Sequence, residues 1–246
     1  MNQFFTILAL FLCVQLAQAE TATLAIAANF TDASQALIQE FEKTSGHTVK
    51  ASYGSTGKLF AQISHAAPFD ALLAADEESV IKLDAAGLTV SRTRFTYARG
   101  KLVLWSAKPD LLTHPEQYLK ASRYAHIAIA NPQTAPYGAA AQQVLQHLGM
   151  WSALQSRLVQ GDSIAQTFQF VATQNAEAGF VARSQVLAWK SGGSSWNIPE
   201  QYYSPINQKA VLLTRGENNP AAISFLDFLK SEPARKIIRD FGYGVD

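Results

Sequence analysis

Four short stretches carry hydroxyls, amides and small residues where a strand gives way to a helix. They are Ala27-Ala28-Asn29-Phe30-Thr31, Gly54-Ser55-Thr56-Gly57-Lys58, Thr134-Ala135-Pro136-Tyr137-Gly138 and Gly161-Asp162-Ser163-Ile164. The first turn of a helix leaves backbone N–H groups without intrahelical partners, and their dipoles attract negative charge. Asn29 adds an amide donor, Ser55 and Thr56 add hydroxyls, and Tyr137 adds a phenol. Ala28 lets a ligand approach the backbone, and the stretch ending at Ile164 again opens a helix. Such a set of mostly neutral donors can hold an anion without a buried cation. Read singly, each corner has a plainer explanation, with Asn29 or Thr31 capping a helix and Ser55-Thr56 forming a tight turn. Lys58, the one cation beside these corners, is expected to point to solvent, because burying a lysine is costly.

Other chemistries lack their parts. The five histidines are scattered, and no His-Glu-x-x-His motif or dense carboxylate cluster exists, so no metal cation and no resident cofactor is expected. No Gly-x-Ser-x-Gly elbow is present. The run ending in Gly57-Lys58 fails as a phosphate loop twice, with Ser52 where glycine is needed and Leu59 after the lysine. A secreted phosphoester hydrolase is the competing reading from another class, and it would need a nucleophile with a positioned base, or metals.

The elements that must position the corners alternate between strand and helix. Thr23–Ala28, Val49–Tyr53 and Asp70–Ala74 read as strands, separated by helices over Thr31–Thr44, around Leu59–Ile63 and over Glu77–Ala86. Tyr97–Trp105 reads as one long extended stretch. A second set follows, with strands His126–Ala130 and Ala178–Ala182 and helices Tyr137–Leu148 and Ile164–Thr173. Ala210–Thr214 reads as a returning strand, and two helices close the chain. Repeated βα units predict an α/β fold with mainly parallel sheets flanked by helices. Two sets joined by extended crossings predict two lobes hinged by strands: 20–99 for the first, 100–208 for the second, and 209–246 returning to the first. Ligands of such sheets collect at the carboxyl ends of the strands.

Residues 1–19 read as a cleavable signal peptide, with an apolar run over Phe4–Leu16 and a small-x-small site at Ala17-Gln18-Ala19. The only cysteine, Cys13, lies inside it, so the mature chain would carry no thiol. With 48% hydrophobic and 16% charged residues the chain is not of disordered composition. A net charge of +1 gives no reason to expect nucleic acid as a partner.

Taken in order, these residues resemble a known family. Ala27 to Ala33, Tyr53 to Leu59, Ala66-Ala67-Pro68-Phe69-Asp70-Ala71, Pro136-Tyr137-Gly138, Gly179-Phe180-Val181-Ala182 and Asn218-Asn219-Pro220 are similar to the periplasmic molybdate-binding proteins of ABC transporters, the ModA family. The resemblance covers nearly all of the mature chain. It implies a two-lobed class II periplasmic-binding-protein fold that clamps molybdate or tungstate, acts as a monomer in the periplasm, and delivers its ligand to a membrane permease. It places Asn29, Thr56, Tyr137 and Ile164 at the binding corners, with Ser55 a weaker candidate beside Thr56. Some members have an oxyanion-binding tyrosine at the position of Ala182, and Tyr137 could supply that hydroxyl from another direction. Another oxyanion, such as sulfate or phosphate, stays open on the residues alone.

Overall fold

The computed structural model describes residues 19–245. The leader read at residues 1–19 therefore lies outside the described residues apart from Ala19, as does Cys13. From the first described residues the chain runs through β1 (Thr21–Ala27), α1 (Thr31–Ser45), β2 (Thr48–Gly54), α2 (Thr56–Ser64), β3 (Ala71–Ala74), α3 (Glu78–Ala85) and β4 (Phe95–Gly100). It then crosses into β5 (Leu102–Ser106), α4 (Pro115–Ala121), β6 (Ile127–Ala130), α5 (Pro136–His147), α6 (Trp151–Leu154), β7 (Leu158–Gly161), α7 (Ile164–Ala172), β8 (Ala178–Ala182), α8 (Arg183–Ala188) and β9 (Ser194–Asn197). It returns through β10 (Ile206–Leu212) and ends in α9 (Pro220–Leu229) and α10 (Glu232–Asp240).

The strands form two five-stranded sheets, ordered β2-β1-β3-β10-β4 and β7-β6-β8-β5-β9. In each, the first three strands pair in parallel and the fourth is antiparallel to both of its neighbours. Every strand but that fourth one therefore runs the same way. The exception has a topological cause. β10 and β5 are the strands that arrive from the opposite lobe, so they enter at the cleft, where the parallel strands end, and must run away from it. The sequence reading of Tyr97–Trp105 as one strand is corrected: the stretch breaks at Lys101 and its halves belong to different sheets. Likewise Ile206–Gln208, assigned from sequence to the second lobe, already pair with β4 in the first sheet.

Burial explains the element types. β1 is buried almost throughout and β3, β6 and β8 completely, as expected of strands covered by helices on both faces. β9 has the sequence Ser-Ser-Trp-Asn and alternates at a sheet edge, which is why no apolar run announces it. The core of the second lobe extends to Ala27, Ala28 and Ala75 of the first, so the two lobes meet on small residues at the cleft floor. Among the described residues no helix is long and apolar enough to cross a membrane.

Candidate functional site, an uncharged cavity between the lobes

The four corners converge. Ala27, Ala28, Asn29, Ser55, Thr56 and Ala75 of the first lobe face Ala135, Pro136, Tyr137 and Ile164 of the second around one small cavity at the carboxyl ends of the strands. It leaves only about 10 Å³ to the centre of a water-sized sphere. That is about the room of a single water molecule, far below the several hundred Å³ of an organic-ligand pocket. Among the described residues no charged side chain lines it. A larger groove of about 550 Å³ opens on one flank of the cleft, but Asp76, Glu77 and Glu78 lie along its wall against a single cation, Lys82, which is paired with Glu78. Carboxylates repel an anion, so size alone does not mark the site.

The lobes touch directly across this cavity. Gly57 N–H, in the first turn of α2, donates to the Thr134 carbonyl at 2.9 Å. Lys58 Nζ pairs with Asp162 Oδ2 at 2.7 Å, bridging the second corner to the fourth. Lys58 is thus about half exposed, as its chemistry demands, but it leans across the cleft rather than out along its helix. Deeper in, Ser184 Oγ donates to the Asn29 carbonyl at 3.2 Å.

Each candidate residue has a distinct status. Ser55 is 4% exposed, and among the described residues its hydroxyl has no hydrogen-bond partner. It occupies the N-cap position of α2 without making a side-chain cap, so the plain capping explanation fails here. A buried polar group left without a partner is costly and calls for a reason. Thr56 is less free, because its Oγ1 accepts the Ala75 N–H at 3.0 Å and retains only its own proton to donate. Asn29 lines the cavity, but both of its amide hydrogens are committed, to Gln208 Oε1 at 3.0 Å and to the Tyr243 hydroxyl at 3.2 Å. What the first corner keeps is its helix-start backbone; neither Asn29 nor Thr31 caps it through a side chain. At the fourth corner the capping explanation holds, since Ser163 Oγ accepts from Gln166 N–H at 3.3 Å, while Ile164 heads α7 with its N–H outside the helix ladder. Gln185 fixes that corner: its Oε1 accepts the Ala182 N–H at 3.0 Å and its Nε2 donates to the Ile164 carbonyl at 3.2 Å.

Tyr137 is buried, and its phenol accepts from Gln208 Nε2 at 3.4 Å. Burial, with Tyr243, Tyr97 and Tyr203 nearby, pushes its pKa well above the ordinary value, so the phenol stays protonated and able to donate. Ala182 closes β8 fully buried and is not part of the cavity wall, so Tyr137 is the phenol the cavity has. The sequence reading missed the polar floor beneath these residues: Gln208, Tyr97, Tyr243 and Ser184. Phe30 packs edge-on against Tyr97 and Tyr243, with ring centroids 4.8 and 5.1 Å away, which fixes both hydroxyls. The signal that was available is the polar run Asn207-Gln208-Lys209 immediately before the apolar Ala210 to Leu213.

A family model described as bacterial extracellular solute-binding protein matches residues 22–244. The chain is also 52% identical over 231 residues to the molybdate-binding protein ModA of Azotobacter vinelandii, covering 93% of this chain and 92% of that one. The chain belongs to the ModA family of extracellular solute-binding proteins. It shares 47% identity over 219 residues with the ModA of Rhodobacter capsulatus, covering 89% of this chain and 86% of that relative. The solved periplasmic molybdate-binding protein of Azotobacter vinelandii superimposes on this ModA-family chain with a TM-score of 0.88 at 41% identity, over 92% of this chain and 99% of that one. The two-lobed architecture is therefore that of the family.

Proposed function

We propose that this protein is a periplasmic binding protein that captures molybdate, and tungstate with it, between its two lobes and hands it as a monomer to the membrane permease of an ABC transporter. The observation that carries this reading is the Ser55 hydroxyl, buried without a partner in an uncharged cavity built from the corners of both lobes. The names of the Azotobacter and Rhodobacter relatives supply the ligand. In this reading Ser55, Thr56 and Tyr137 donate O–H groups, and the helix starts at Ala28, Asn29 and Ile164 donate backbone N–H groups. Among the described residues no group in the cavity wall is a nucleophile with a base beside it, which favours binding without turnover.

Selectivity follows from the cavity. A cage of donors held by two closed lobes fits one anion size, so the smaller sulfate meets some donors too far away. Hydrogen phosphate carries a proton that needs an acceptor, and among the described residues no carboxylate lines the wall. Tungstate is nearly the size of molybdate and should bind as well. Ligand contacts from both lobes form together only in the closed state, so binding stabilises closure.

Thermal unfolding with about 1 mM molybdate, tungstate, sulfate or phosphate tests this. A Kd near 100 nM would add roughly 5 kcal/mol and raise Tm by on the order of 10–20 °C for a chain of this size. Shifts with molybdate and tungstate only are expected. A shift with sulfate or phosphate alone would keep the binding fold and replace the ligand.

A further inference from the structure

Gln208 lies in the middle of β10, the strand that returns from the second lobe, and it is fully buried. A buried amide in a central strand must find partners for an acceptor and two donors. The register of β10 with β4 slips at this point: Gln208 faces Ala98 and Lys209 faces Thr96, which leaves Tyr97 as an extra residue. Bulges of this kind re-aim side chains beside functional sites. Here the result is that Tyr97 and Gln208 meet, the phenol donating to Gln208 Oε1 at 2.8 Å.

The donors around Gln208 fix which way its amide faces. Oε1 takes Asn29 Nδ2–H at 3.0 Å as well as the Tyr97 O–H, so Nε2 must face the other way. There it donates to the Tyr137 oxygen at 3.4 Å. A phenol has one proton and two lone pairs. Accepting from Gln208 leaves the Tyr137 proton to donate elsewhere, and the side chain lines the anion cavity. The arrangement requires glycine at the crossing between the lobes. A Cβ on Gly100 would stand 2.1 Å from the Tyr137 oxygen and 2.9 Å from Gln208 Nε2.

We infer that Gln208 is a positioning residue for the anion site: from the hinge strand it binds Asn29 of one lobe and Tyr137 of the other, and its amide polarity turns the Tyr137 proton toward the captured oxyanion. The inference rests on the reading of Tyr137 as an oxyanion donor. It gives the strand between the lobes a part in recognition, since the residue that orients a second-lobe donor sits in the first-lobe sheet. Gln208 itself need not touch the ligand.

Two sets of variants test it, each read by calorimetric Kd for molybdate and by Tm without ligand. In the first, Gln208→Met and Tyr137→Phe are combined in a double-mutant cycle. Each single change is expected to weaken binding about 10-fold or more, and Gln208→Met should cost less than about three-fold once Tyr137 is already Phe. If Tyr137→Phe alone leaves Kd within three-fold, Tyr137 is not a donor and both the site reading and the inference fall. If Tyr137→Phe weakens binding but Gln208→Met costs the same in both backgrounds, Tyr137 stands and the positioning role is overturned.

The second variant, Gln208→Glu, keeps shape and guards against loss of folding in the first set. A protonated Glu can donate to Tyr137 as the amide does, whereas a carboxylate can only accept, draws the phenol proton to itself, and adds a negative charge near the anion. Burial raises a carboxyl pKa into the neutral range, so this side chain passes from acid to carboxylate between pH 6.5 and pH 9. The titratable groups facing position 208 are the phenols of Tyr97, Tyr137 and Tyr243, with Asp76 acting on Tyr97 and Asp32 on Tyr243. The Kd of this variant is expected near the parent value at pH 6.5 and at least about 30-fold weaker at pH 9. The parent protein should vary less than about three-fold. A pH-independent Kd in Gln208→Glu, whether tight or weak, would overturn the inference.

Discussion

Gly57 N–H and the Thr134 carbonyl, one from each lobe, are joined by a 2.9 Å hydrogen bond beside the small cavity between the lobes. The approach is so close that a Cβ on Gly57 would lie 2.9 Å from Thr134 Cα and 3.0 Å from its carbonyl oxygen. Gly57 sits in the first turn of α2, where alanine is the better helix former. Gly57→Ala should therefore leave the unliganded protein as stable as the parent or slightly more so, yet prevent the lobes from meeting. Molybdate affinity is expected to fall about 10-fold or more, because the closed state is the one that binds. Calorimetry together with unliganded Tm checks this, and unchanged affinity would mean that the lobes do not need this contact to hold the ligand.

Ser55 and Thr56 should separate binding from stability. The Ser55 hydroxyl is buried without a partner among the described residues, so Ser55→Ala removes an unpaired group and should leave the unliganded Tm unchanged or raised. It should weaken molybdate binding by about 1.5–3 kcal/mol, the range for a hydrogen bond to a charged group. Thr56 Oγ1 supports the Ala75 N–H, so Thr56→Ala should also cost about 1–2 kcal/mol of unliganded stability. Denaturant unfolding and Kd measured on both variants give the comparison. A larger stability loss at Ser55 than at Thr56 would reverse the assignment.

The Lys58–Asp162 pair crosses the cleft, but its side chains are 49% and 74% exposed. Exposed pairs contribute about 0–1 kcal/mol and are screened by salt. Lys58→Ala is expected to change Kd less than about five-fold at 150 mM salt, with a smaller loss still at 1 M. A loss beyond 30-fold would place the ammonium among the ligand's own contacts.

Alkaline pH should act on the floor of the cleft. Burial raises the pKa of Tyr97, Tyr137 and Tyr243 above the ordinary tyrosine value of about 10. Below pH 10 these phenols are neutral in both folded and unfolded chains, and their contribution is fully present. Above it the unfolded chain releases protons that the folded one keeps, so stability falls as pH rises toward the folded values. The slope is up to about 1.4 kcal/mol per pH unit for each tyrosine. Denaturant unfolding between pH 8 and 11.5 should show a plateau followed by this fall, and Tyr243→Phe should make the fall shallower.

Local pattern made much of this protein legible. Apolar runs such as Leu24 to Ala27 and Leu72 to Ala74, bounded by turn residues, read as strands covered on both faces, and the small and hydroxylated residues after them mark helix starts where an anion can sit. The corners at Ala28-Asn29, Ser55-Thr56, Tyr137 and Ile164 follow from spacing of that kind, and the order of motifs along the chain identified the family. What sequence could not decide is where each proton points. Asn29 and Gln208 are 179 residues apart and Tyr243 is 214 residues from Asn29, yet these pairings take both amide hydrogens of Asn29. Ser55, and not its neighbour Thr56, is left unpaired because only Thr56 meets the Ala75 N–H from β3. Lys58 leans across the cleft because Asp162 arrives from the other lobe. Gln208, for which the sequence offered no role, is the buried centre of the floor. Elements are set by interactions within a turn or two of chain, whereas the direction of a hydrogen bond is set by whichever partner the tertiary fold brings to it.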